Sequence, residues 1–218
     1  MILKYNAKIY IIIYFSNDII NAMAIIVKKQ INQNTLLAVW EITESLEELN
    51  ELNPSEKILH KNPKRAKEWL ATRILVNSIF EKAKIIYDVT GKPKLDNGKN
   101  ISISHSKHYC SIIVGDNNVA IDVEEISQKA INAASKFITR QNHIKLTTAV
   151  ATLIWSAKEC IFKLVNQKKI NFKTDIIISP FDIKKSGNLH AVFKQKSYIL
   201  QYEKINNHYL VYVCSKER

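Results

Sequence analysis

Apolar and polar positions alternate along this chain with two different periods, and the change of period marks out its elements. Residues 35–42, TLLAVWEI, are rich in apolar residues, unbroken from Leu36 to Trp40, and read as a strand. Short helical patterns follow in SLEELNEL and PSEKILH, with Ser45 and Asn53 placed as N-caps. The strongest helix lies in PKRAKEWLATRILVNSIFEKA, where Trp69, Ile74 (or Arg73), Val76 and Phe80 recur near a spacing of about 3.6 residues and Pro63 suits the first turn. IIYDVT and ISISHS read as strands on either side of a turn-rich GKPKLDNGKN. YCSIIVGDNNVAIDVEEI reads as two strands joined at GDNN in a hairpin. Residues 126–146 carry a weaker signal, mobile or short-helical, before a second firm helix in TAVATLIWSAKECIFKLV. The tail reads as three or more strands in a meander, from DIIISPFDIKK to HYLVYVCS.

The resulting order, β-α-β-β then β-α-β-β-β, predicts an α+β fold of two similar halves sharing one interface rather than a doubly wound parallel sheet. The boundaries are 23–115 for the first half and 116–218 for the second, with 1–22 as an extension. That extension has Lys4 and Lys8 before an apolar run from Ile9 to Phe15, resembling a short signal peptide. The run is too short for a membrane span. Translation starting at Met23 is the favoured account of it, and an extra edge strand is the alternative.

Composition changes this picture in one respect. Lys and Arg outnumber Asp and Glu by 32 to 20, giving a formal charge of +12 that favours an acidic or phosphorylated partner. Nucleic acid is one such partner, and KQKSYILQYEKI is the only stretch that interleaves basic and aromatic residues in the required way. Cys110, Cys160 and Cys214 are far apart and lack zinc spacing, which fits a reducing cytoplasm.

Three stretches carry candidate chemistry. AIDVEE, residues 120–125, places Asp122 and Glu124 on one side of a strand, where the two carboxylates repel unless water or a cation separates them. In WSAKECIFK, Trp155, Glu159 and Lys163 stand at i, i+4 and i+8, one stripe along a helix. The stripe reads either as core plus a surface ion pair or as the wall of a cleft. In GKPKL and ISISHS, Gly91 and Pro93 steady Lys92, while His105 with Ser104 or Ser106 is placed to reach an anion.

Taken in order, GKP at 91–93, SISHS at 102–106, AIDVE at 120–124 and WSAKECIFK at 155–163 resemble the motifs of the 4'-phosphopantetheinyl transferase superfamily. The resemblance covers most of the chain from about residue 24, and its length points to the monomeric, two-half branch typified by surfactin-synthetase activators. It implies a pseudo-dimer of two α+β halves in one chain. It also implies transfer of phosphopantetheine from coenzyme A to a serine of an apo acyl carrier protein or peptidyl carrier domain. Asp122, Glu124 and Glu159 would hold magnesium, Glu159 and Lys163 would be catalytic, and Lys92, His105, Arg73 and Lys163 would hold the coenzyme. The expected protein is a cytoplasmic monomer without nucleic-acid or membrane partners, since the three acids would repel a nucleic-acid phosphate. Ala120 departs from the usual glycine and Ser102 from the usual asparagine. The segment after Glu125 lacks an acidic helix start, which leaves the carrier-docking surface open; its Lys129, Lys136, Arg140 and Lys145 make it the expected acidic-partner face.

Overall fold

Every strand among the described residues joins one of two antiparallel sheets, and the split falls between residues 115 and 119. The computed structural model describes residues 25–54, 58, 60–139 and 145–215. The extension 1–22, most of PSEKILH, and Arg140 lie outside them.

The first sheet has six strands: β1 Ile25–Asn32, β2 Thr35–Glu41, β3 Ile85–Tyr87, β4 Pro93–Leu95, β5 Asn100–Ser106 and β6 Tyr109–Gly115, in the order β1-β2-β6-β5-β4-β3. The second has five: β7 Val119–Glu125, β8 Ile176–Ile178, β9 Ser186–Phe193, β10 Lys196–Ile205 and β11 His208–Cys214, in the order β7-β11-β10-β9-β8. Helices α1 Leu46–Leu52, α2 Pro63–Ile79, α3 Gln128–Ala133 and α4 Thr148–Val165 complete a mixed α+β fold. None of these helices is long and apolar enough to cross a membrane.

The unbroken apolar run of β2 has a physical cause. Ala38 and Trp40 face the core under α2, with Leu70, Leu75 and Ile112, while Leu37 and Val39 face a second apolar layer between the sheets. A strand covered on both faces has no polar side to display. The same layer takes Ile113 of β6, Ile121 and Val123 of β7, and Leu210 of β11. A third cluster lies under α4, where Ile154 and Ile161 meet Leu200 and Val211.

Caps define the helix ends. Ser45 and Glu48 form a reciprocal capping box at α1, with Ser45 Oγ accepting from the Glu48 amide at 3.1 Å and Glu48 Oε2 accepting from the Ser45 amide at 2.7 Å. Asn53 is the C-cap of α1, not an N-cap, because the helix pattern before it closes there. Asn62 caps α2, and Pro63 fills its first turn.

The hairpin expected at GDNN does not form. Both edges of β6 are taken, by β2 and β5, so β7 passes into the second sheet and pairs with β11, Asp122 opposite Val211. Two adjacent apolar strands can bury their faces against each other as layers as well as side by side, and sequence alone does not choose between these. The turn-rich loop also contains β4, and the long tail segment divides at Lys194 and Gln195, both in the left-handed region at φ 46 and 66.

What joins the halves at β7 is unusual in kind. The free edge of β7 is satisfied by side chains of β5: Ser102 Oγ accepts from the Ile121 amide at 3.1 Å, Ser104 Oγ from Val123 at 3.2 Å and Ser106 Oγ from Glu125 at 3.1 Å. Strand alternation puts these three serines on one face of β5, and Ile101, Ile103 and His105 on the other, toward α2. A buried amide left without an acceptor costs about 1–3 kcal/mol, which the serines prevent.

Candidate functional site

Alternation along β7 decides what its acids meet. Ile121 and Val123 turn into the layer between the sheets, while Ala120 packs in the cluster under α4, so Asp122 and Glu124 face α4 as well. On α4, Trp155, Glu159 and Lys163 form a half-buried stripe flanked by buried Ser156, Cys160 and Leu164. The stripe therefore faces the seam between α4 and β7. Lys163 reaches across it to Asp122 Oδ1 at 2.8 Å and to the Ile121 carbonyl at 3.0 Å. The i, i+4 surface pair of Glu159 and Lys163, the plainer reading of the stripe, gives way to this longer-range one.

Asp122 is only 3% exposed, and its two oxygens differ. Oδ1 accepts from Ser104 Oγ at 2.9 Å and from Lys163, whereas Oδ2 is buried without a hydrogen-bond partner among the described residues. Glu124 Oε1 accepts from the indole N–H of Trp155 at 3.2 Å. The Trp155 ring is itself held by Phe137, with centroids 5.1 Å apart, and by stacking on Phe172 at 5.4 Å. Trp155 is thus part of the site's geometry, a role that its i, i+4 relation to Glu159 signals only in outline.

The electrostatics follow from burying several carboxylates together. Desolvation, then the Asp122 charge, pushes the Glu124 pKa up to about 7. Glu159 is raised for the same two reasons, against the pull of Lys163. Burial by itself would lower the Lys163 pKa, but the Asp122 carboxylate leads a set of opposing effects that leave it raised.

A stability measurement tests this crowding. Glu124 titrates near 7 when folded against an ordinary value of 4.5, so its contribution to stability is complete below about 4.5 and lost as pH rises through about 7. Relative to the parent, Glu124→Gln is expected to gain on the order of 2 kcal/mol between about pH 5 and pH 8 in the absence of divalent cations. Buried His105 titrates with the opposite sign in both proteins and cancels in the difference. Parallel unfolding free energies across that range would show that Glu124 is not crowded.

On the other face of β5 lies a cleft of about 350 Å³, lined by Arg65, Trp69, Arg73, Tyr87 and His105 among others. Arg73 stacks its guanidinium 3.6 Å from the Trp69 ring centre, and its Nη1 donates to the Trp69 carbonyl at 3.3 Å. Thr72 Oγ1 gives its one proton to the Glu68 carbonyl at 2.8 Å, so the 2.7 Å contact with His105 Nε2 requires that nitrogen to carry the hydrogen. Desolvation, followed by the Lys163 charge, holds the His105 pKa down to about 4, which makes the ring neutral in the free protein. It enters the cleft as a hydrogen-bonding group instead of a cation. The Lys163 ammonium itself stays on Asp122 and the Ile121 carbonyl and does not line the cleft.

Lys92 does not line this cleft. Its loop is pinned by Asp88 Oδ1, which accepts from the Thr90 amide at 2.7 Å, the Thr90 hydroxyl at 2.6 Å and the Lys92 amide at 3.0 Å. Gly91 supplies the left-handed φ of 85 that the turn requires. Thr90 then accepts from Asn166 at 2.9 Å, which sets the loop against the end of α4. Ser104 and Ser106, expected to reach an anion, instead serve the β7 amides. Glu125 is drawn away from the acid group by an ion pair with Lys107. Lys158, next to Glu159, is buried with its ammonium on the Phe172 and Ile176 carbonyls, a structural tie between α4 and the chain entering β8 that was not foreseen. In KQKSYILQYEKI, Tyr202 is buried and Tyr198 packs on the core, so this stretch lacks the exposed aromatic face that stacking on bases requires.

Neither a family model nor a curated protein matches the chain.

Proposed function

We propose that this chain is a 4'-phosphopantetheinyl transferase, its two α+β halves arranged as a pseudo-dimer, which moves phosphopantetheine from coenzyme A to a serine of an apo carrier protein. One observation carries the reading. A cleft with Arg73 and His105 lies on one side of β5, and on the other Lys163 pairs with Asp122, whose charge acts on the nearby carboxylates of Glu124 and Glu159. Cationic and hydrogen-bonding groups for a nucleotide's phosphates and hard oxygens for a divalent cation are the two halves of phosphoryl-group chemistry.

Magnesium fits the acid group by its donor chemistry. Asp122 Oδ2 is buried and unpartnered among the described residues, and Glu124 and Glu159 are both disfavoured as anions by burial and then by the charge beside them. Among the described residues no group of three acids, histidines or cysteines is placed to hold a metal ion. Magnesium does not need one, because it is commonly held by one or two carboxylates, with waters and substrate phosphates completing the shell. Asp122, Glu124 and Glu159 would hold it, and when bound it supplies positive charge to the pyrophosphate.

The chain's own residues account for the rest of the reaction. Arg73 and His105 bind the coenzyme's phosphates, and Lys92, on the loop that Thr90 sets against the end of α4, is the further cation proposed for them. Glu159, directly or through a water, takes the proton of the carrier serine as its oxygen attacks the β-phosphorus. The bond from that phosphorus to the bridging oxygen breaks, and adenosine 3',5'-bisphosphate leaves with the electron pair. Lys163 offsets the charge that grows on the leaving phosphate.

The direct test is to incubate the protein with coenzyme A, magnesium and an apo carrier protein, and to follow the carrier by mass spectrometry. A mass gain of one phosphopantetheine group on the carrier serine is expected; an unmodified carrier across acyl and peptidyl types would reject the proposal. Binding supplies a second check. Arg73→Ala is expected to weaken coenzyme A by about tenfold or more, as loss of a charge-assisted bond to phosphate does, with no effect on pantetheine. Equal coenzyme affinities by calorimetry would remove Arg73 from the phosphate site.

A further inference from the structure

We propose that Ser104 is a positioning residue that decides which oxygen of Asp122 is open to a ligand. The proposal rests on the reading of Asp122 as a cation ligand and adds a residue on the opposite half of the chain to that site. Ser104 is 7% exposed, and its hydroxyl stands between two fixed partners. The Val123 amide donates to its oxygen at 3.2 Å, which occupies a lone pair. The single hydroxyl proton then goes to Asp122 Oδ1 at 2.9 Å. With the Lys163 ammonium on the same atom, Oδ1 holds two donors, while Oδ2 holds none.

A carboxylate on a short side chain turns easily about its terminal bond, and the two oxygens are chemically equivalent until neighbours distinguish them. Ser104 distinguishes them from the strand edge, and Lys163 does so from α4. Because the Val123 amide is part of the same strand as Asp122, the serine references the carboxylate to its own backbone. Ser102 and Ser106 make the same kind of bond to β7, to the Ile121 and Glu125 amides, but neither is recorded on a carboxylate. They are natural controls: the seam between the halves without the contact to Asp122.

The experiment measures Mn²⁺ binding to the full chain in the absence of coenzyme A, by the loss of the free Mn²⁺ electron paramagnetic resonance signal. Ser104→Ala is expected to raise the Mn²⁺ dissociation constant by about 10-fold or more, the size usual for losing a group that orients a ligand. Ser104→Thr keeps the hydroxyl and is expected to restore binding to within a fewfold of the parent. Ser102→Ala, which costs one seam bond as well, is expected to leave Mn²⁺ affinity unchanged. If Ser104→Ala binds Mn²⁺ as the parent does, or Ser102→Ala loses as much, the positioning role is overturned while the metal site stands. If the parent itself binds no Mn²⁺, the cation reading of Asp122 falls and this proposal with it. Should Ser104→Ala not give a single cooperative melt, Ser104→Cys, a weaker donor of similar shape, is expected to bind with intermediate affinity, and parent-like binding there overturns the role equally.

Discussion

Replacing Asp122 with asparagine is expected to lower transfer to a carrier by about a thousandfold while the protein still folds. Asparagine has the same shape and still offers an oxygen to Ser104 and Lys163, so the contacts that tie β7 to β5 and α4 survive. What disappears is the charge, and with it the repulsion that raises Glu124 and Glu159. Stability of the free protein at neutral pH therefore changes little, because the loss of the Lys163 ion pair is offset by relief of the other two acids. Glu159→Gln is expected to give a loss of similar size. The check is turnover at limiting magnesium beside a thermal melt of each variant. Activity within tenfold of the parent, in protein that melts normally, would show that these acids are not the reacting centre.

Lys163→Met should do the opposite to stability. The ammonium is the cation that Asp122 already has, with 26% of its side chain exposed against 4% for the aspartate. Removing it leaves a buried carboxylate beside two others, a change that typically costs about 3 kcal/mol. A divalent cation can restore charge balance at that point, so millimolar magnesium is expected to raise the melting temperature of this variant more than that of the parent. It should not restore turnover, which is expected to stay about a hundredfold or more below the parent, since a cation at the acids cannot replace an ammonium placed toward the leaving phosphate. Equal magnesium shifts in the two proteins would mean that Lys163 and the metal do not share a neighbourhood.

Much of this was legible in residue order, for reasons that can be named. The two long helices carry their own punctuation, Pro63 at α2 and the apolar periodicity of α4, and strands of the tail are separated by polar turns. AIDVE and WSAKECIFK state which side chains share a face of their own element, but bringing Asp122, Glu124, Glu159 and Lys163 to one place took the resemblance as well as the periodicity. Partnership between strands was not legible. β6 is buried along its whole length and β7 over its first five residues, so nothing in either says that one belongs to each sheet. The serines of β5 read as anion-binding hydroxyls because a hydroxyl has no label for its partner, and the unpaired amides they serve belong to a strand whose edge became free only through that division. The neutral state of His105 was not legible, since it depends on burial against Thr72 and on the charge of Lys163, 58 residues further along the chain.

The two faces of β5 also constrain how this protein can change over generations. One face lends hydroxyls to β7 and the other lends His105 to the cleft. Inserting or deleting a single residue within the strand would exchange these duties beyond the point of change, sending serines toward α2 and isoleucines toward the amides of β7. A change of two residues preserves the assignment of faces. Length variation inside this strand is therefore compatible with the site only in even steps, whereas the turns that flank it are under no such parity.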